Sequence, residues 1–186
     1  MDRKKINLIS DEDLSCSMNF ENGYDQRKKI AYDLKRKFPN AKIFIVTRNK
    51  RDWLRSIHSE YIKNGGFRKY EYWYDNIFDK RLLDFDEYIS LLESLFDEIM
   101  VLKYEELKAN QELFVKKICD FIGVQVPDYK NKRLGLRLTK RQMALFRFMN
   151  VLFRNKYDKN PAFFPAFLNP LNIYRRVDKL SKKKYE

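Results

Sequence analysis

Between Pro39 and Gly66 the hydrophobic rhythm of the chain changes once. Ile43, Phe44, Ile45 and Val46 are contiguous, β-branched or aromatic, and too few for a helix, so Lys42–Thr47 is predicted as a buried strand. Trp53, Leu54, Ile57 and Tyr61 then recur at spacings of three and four, which makes one apolar face of a helix. Asn49 fits the N-cap of that helix, and Asp52 three residues on gives a capping-box-like start. Asn64-Gly65-Gly66 closes it.

Elsewhere the same two periods alternate. Lys5–Ser10 reads as a first strand, with Asp11, Glu12 and Asp13 at its carboxyl end. Tyr24–Phe38 is predicted as a helix with Ile30, Leu34 and Phe38 on one face and Pro39-Asn40 as its stop. Phe67–Leu83 is aromatic and polar, an irregular loop with a short helix. Asp84–Phe96 is a helix with Phe85, Tyr88, Leu92 and Leu95 in register, and Ile99–Tyr104 is a third strand. Helices follow over Asn110–Ile122, ended by Gly123, and over Thr139–Asn155. Strands alternating with helices imply right-handed crossovers and a small parallel sheet, the α/β class. With no repeat and no visible boundary, one domain is expected over residues 1–186, its core about 8–153 and a proline-containing basic extension over 156–186.

The candidate chemistry lies where the second strand meets its helix. Arg48 stands at the strand's carboxyl end, where open α/β sheets bind ligands, and a guanidinium can grip a phosphate bidentately. The free N–H groups of the first helical turn and the positive end of its dipole favour an anion. Ser56, further along the helix, could complete the cradle with its hydroxyl. The plain alternative is that Arg48 pairs with a local carboxylate and Ser56 is an ordinary helix residue.

Charge agrees with an anionic ligand. Lys and Arg outnumber Asp and Glu by 39 to 26, a net +13, although much of such an excess is a solvated face. With 15 Phe and 12 Tyr this is no disordered basic tail. Cys16 and Cys119 form no close pair, which makes a reduced, cytoplasmic setting the default. His58 is the sole histidine, which argues against a histidine zinc site, and a lone helical histidine is more often a packing residue. No apolar run approaches the roughly 20 residues of a membrane span, and the start is too weakly apolar for a signal peptide.

With Arg48 and Ser56 eight positions apart after an apolar strand, the chain resembles the sulfotransferase family. IMVLKYEELKANQELFVKKICDFIGV adds a strand ending in a tyrosine-acidic pair, then a helix, then a glycine, and KRLGLRLTKRQMALFRFMNVLF is similar to the terminal helix of bacterial and glycan-type members. The likeness covers roughly Leu8–Phe153. It implies a P-loop-NTPase-like three-layer α/β/α fold and transfer of a sulfonate from 3′-phosphoadenylyl sulfate (PAPS) to a hydroxyl or amine of a glycan or small molecule, without a metal. It implies further that Arg48 and Ser56 bind the donor's 3′-phosphate and that Tyr104 lies near the adenine. A base is needed to take the acceptor's proton; Glu12, just beyond the first predicted strand, matches the family's position, unless the acidic run is merely a solvated cap.

The family's Lys-Ser/Gly-Thr-Thr loop, which wraps the 5′-phosphosulfate, has no counterpart, and the only paired glycines are Gly65 and Gly66. The expectation is therefore an N-terminally truncated domain, inactive alone, or one that relies on a homo-oligomer or partner chain for the missing strand. An anion-binding remnant without catalysis is the alternative. A nucleic-acid-binding module would use the charge but lacks a groove-reading motif. Tyr70, Tyr72, Trp73 and Tyr74 could line an acceptor cleft or cover core. The basic, proline-containing tail could touch an anionic membrane weakly or pack on the body.

Overall fold

Ile43–Thr47 (β1) and Ile99–Lys103 (β2) pair in parallel, with Ile43 opposite Ile99 and Thr47 opposite Lys103. The computed structural model describes residues 6–10, 14, 22–128 and 138–153. Among these the helices are α1 (Gly23–Lys37), α2 (Lys50–Lys63), α3 (Tyr70–Asn76), α4 (Phe85–Leu95), α5 (Tyr104–Ala109), α6 (Gln111–Ile122) and α7 (Lys140–Leu152), with a 3₁₀ turn at Lys80–Leu83. The α/β class and the small parallel sheet are as the pattern indicated. Packing divides the chain into two compact units, residues 1–50 with 76–129 and residues 51–75 with 130–186.

In the first unit Ala31 of α1 meets Tyr88 and Leu92 of α4 and Phe96 just beyond it, with Ile43, Ile45 and Ile99 of the sheet packed against them. Leu34 of the expected row packs against this core, and the most buried row of α1 lies beside it. Arg27 and Ala31 are buried, while Phe38 is its exposed C-cap. A buried arginine must be paired. Arg27 Nη1 donates to the Leu82 carbonyl at 3.2 Å, and its guanidinium lies 4.7 Å from the centre of the Tyr88 ring. α6 starts where the Asn110 side chain accepts the Leu113 N–H and stops at Gly123, whose φ of 75° is the left-handed conformation that favours glycine.

Two expectations are corrected here. Residues 6–10 form no strand, and Ile6, Leu8 and Ile9 are more than half exposed. Their alternation is that of a strand, but a strand exists only where a neighbour accepts its ladder, and among the described residues the sheet consists of β1 and β2. The third predicted strand ends at Lys103, because Tyr104 opens α5. The Glu106 carboxylate accepts the Lys103 backbone N–H at 3.1 Å and so turns the chain into helix at once.

In the second unit α2 supplies the buried residues Leu54, His58, Ser59, Tyr61 and Ile62, and α3 adds Trp73. α7 is capped by Thr139, whose hydroxyl accepts the Gln142 N–H while the Gln142 side chain accepts the Thr139 N–H. Asn150 is the buried polar residue of α7. Its Nδ2 donates to the Ile62 carbonyl at 2.8 Å and to the Gly66 carbonyl at 2.7 Å. The Ile62 carbonyl, which also accepts the Gly65 N–H, and the Gly66 carbonyl beyond α2 thus find a side-chain donor in α7. Trp53, expected as core, is only half-buried.

Candidate functional site

Parallel register builds the site. Because Thr47 lies opposite Lys103, the next residue of each strand, Arg48 and Tyr104, emerges at the same end of the sheet. The Arg48 guanidinium lies 4.5 Å from the centre of the Tyr104 ring. Such stacking fixes the plane of the guanidinium and leaves its edge for a planar or tetrahedral anion. Arg48 Nε is buried and has no hydrogen-bond partner among the described residues. A buried donor without an acceptor is uncommon, and it marks a place where an acceptor belongs.

Three more groups gather there. Lys108, one turn along α5, places Nζ 5.1 Å from the Tyr104 ring centre, so the ring carries two cations. The Asn49 N–H donates to Glu105 Oε1 at 3.1 Å. That hydrogen bond, then one from its own backbone, and then the charges of Lys108 and Arg48 hold the Glu105 carboxyl below its usual range. Arg48 therefore has a carboxylate in its neighbourhood, yet that carboxylate spends a lone pair on the amide just before α2. Sequence reasoning assigned no part to Glu105, Lys108 or the Asn49 amide. The available signal was the pairing of two apolar runs of equal length, which brings whatever follows each run together.

Ser56 is a half-buried residue of α2, belonging to the second unit. Glu12, the expected base, lies outside the described residues. Trp73 is fully buried, whereas Tyr72 is exposed, so the aromatic stretch divides between covering core and facing solvent. Among the described residues no cluster of histidine, cysteine and carboxylate side chains could hold a metal ion.

His58 is a packing residue. It is buried among Tyr61, Tyr70 and Trp73, with ring centroids 5.1–5.9 Å away, and its Nε2 lies 3.2 Å from the Arg68 carbonyl. Burial pushes its pKa down, against the Arg68 carbonyl, which favours the protonated ring. The fold therefore prefers the neutral ring. As pH falls through about 6.5 the unfolded chain takes up a proton that the folded chain resists, and stability declines below that point. As His58 is the only histidine, the effect is readable in isolation. The melting temperature is expected to fall between neutral pH and the mid-fives, and to fall less in His58→Gln. Equal slopes for the two proteins would contradict this account.

The model of the sulfotransferase family matches residues 29–128, more than half of the 186. The chain belongs to the sulfotransferase family. No curated protein and no solved structure matches it. The match spans β1, the Arg48 turn, β2, Tyr104 and α5, the elements that form the geometry above, and takes in α2 as well. Family membership implies, in general terms, a sulfonate donor.

Proposed function

We propose that this chain binds the 3′-phosphate end of PAPS, or of its product adenosine 3′,5′-bisphosphate, and serves sulfonate transfer to a hydroxyl or amine of a glycan or small molecule. The observation that carries the reading is Arg48, laid on the Tyr104 ring at the carboxyl end of β1 with its Nε lacking a partner among the described residues. Arg48 holds the phosphate, and the Ser56 hydroxyl is a second ligand by resemblance. Lys108 adds charge on the same Tyr104 ring as Arg48. Tyr104 orients Arg48 and lies toward the nucleotide. The donor supplies an activated sulfonate on a phosphate anhydride. Glu12 is the base that takes the acceptor's proton. A cytoplasmic setting accompanies this reading, in keeping with the free thiol of buried Cys119.

A second reading, anion binding without transfer, is favoured by the glycines. All five fall outside any Lys-Ser/Gly-Thr-Thr sequence. Titration with adenosine 3′,5′-bisphosphate tests the shared part. A nucleotide at about a hundred times its Kd is expected to stabilise the protein by about 2.7 kcal/mol. Arg48→Ala, checked for folding by circular dichroism, is expected to weaken binding by roughly 10- to 100-fold, the range of a charged hydrogen bond to phosphate. No stabilisation sinks both readings. Unchanged affinity in the variant sinks the site. Turnover of PAPS by the purified chain separates transfer from mere binding.

A further inference from the structure

α7 has two sides of different character. One side holds the second unit together, through buried Asn150 and through Arg147, whose Nε donates to the Phe67 carbonyl at 2.8 Å. The other carries Leu145, Phe148 and Val151, which are 56%, 62% and 47% exposed. Recurring every three residues, these side chains form one stripe along the helix. One turn toward the amino end the same side presents exposed Lys140 and Arg141.

The sequence that contains this stripe carries charge of a single sign. Between Asp128 and Asp158 the chain has nine lysines and arginines and neither an aspartate nor a glutamate. Segments of such composition repel copies of themselves, which disfavours a second chain as the cover for the stripe. A nucleic acid would satisfy the cations but leave Phe148 in water. An acidic lipid surface satisfies both, since apolar side chains enter the boundary between headgroups and acyl chains while the cations stay among the phosphates. The contact is peripheral: among the described residues no helix is long and apolar enough to cross a membrane.

We propose that the exposed side of α7 docks on membranes rich in anionic phospholipid. This rests on the stripe and its charge, independently of the nucleotide site. The full chain, sedimented with phosphatidylcholine vesicles that contain phosphatidylglycerol, is expected to bind them, to bind pure phosphatidylcholine far less, and to be released by salt. Phe148→Asp combined with Leu145→Gln should weaken binding by at least about tenfold, because buried apolar surface is lost on the lipid side only. Lys140→Glu with Arg141→Glu should weaken it too, and both variants should melt as the parent does. Binding undiminished in the Phe148→Asp, Leu145→Gln variant would overturn the proposal. So would binding to pure phosphatidylcholine as strong as to mixed vesicles, or a lipid-free dimer that the same substitutions disperse.

Discussion

Asn150→Asp is expected to destabilise the protein by about 3–5 kcal/mol at neutral pH, the range for a buried charge left without compensation. Asn150 is 3% exposed, and its amide faces two carbonyl oxygens, those of Ile62 and Gly66. Only a donor satisfies both. An ionised carboxylate there opposes two oxygen lone pairs in a site closed to water, so the new group is driven to hold a proton and its pKa rises above that of the unfolded chain, about 3.9. The charge's share of the penalty is thus absent below that value, leaving the cost of one lost donor, and that share grows as pH rises through the folded pKa. Asn150→Leu removes the donors without adding charge and should cost about 2–4 kcal/mol, with no such pH dependence. Melting curves from pH 4 to pH 8 test both. If Asn150→Asp melted within a degree or two of the parent at neutral pH, the burial of this amide would be refuted.

The next largest effect is expected from Gly66→Ala, about 3 kcal/mol of destabilisation through overpacking. A β-carbon at Gly66 would lie 2.3 Å from the Tyr61 ring. The ring is 3% exposed and is held between His58 and Trp73, so it cannot yield without moving the cluster. Gly123→Ala is the instructive comparison. Nothing lies within 4 Å of its β-carbon position, and the cost there, about 1 kcal/mol, comes from the left-handed backbone alone. Denaturant midpoints should therefore rank parent, Gly123→Ala and Gly66→Ala in falling order. A reversed order of the two variants would show that the close approach at Gly66 is misplaced. Gly66 also supplies a carbonyl to Asn150, so combining its substitution with Asn150→Leu should give less than the sum of the two losses.

These sites show where the sequence could be read and where it could not. β1, α2 and the position of Arg48 were legible because each depends on a local pattern: a contiguous apolar run, a spacing of three and four, a residue following a strand. Lys5–Ser10 carries the alternation of a strand, yet pairing is a property of two segments, and no pattern within one of them reveals a missing neighbour. α5 was missed because Tyr104 follows the last strand residue with no breaker between, and what turns the chain is the Glu106 carboxylate on the Lys103 amide. The stacking of Arg48 on Tyr104 follows from register, which the two runs encode only jointly. Asn150 was illegible for the same reason at longer range. A single polar residue in an apolar helix says that it has partners, but not which.

Those partners lie 88 and 84 residues earlier in the chain. A protein made from its amino end has all of α2 and the turn at Gly66 long before Asn150 exists. The first unit can pair β1 with β2 once Lys103 has emerged from the ribosome, since both strands lie before that point. The second must wait for residues beyond Lys130, with the carbonyls of Ile62 and Gly66 solvated and Trp73 incompletely covered in the meantime. Completion of the second unit therefore follows that of the first, and between the emergence of α6 and that of α7 the nascent chain carries one finished half and one open half.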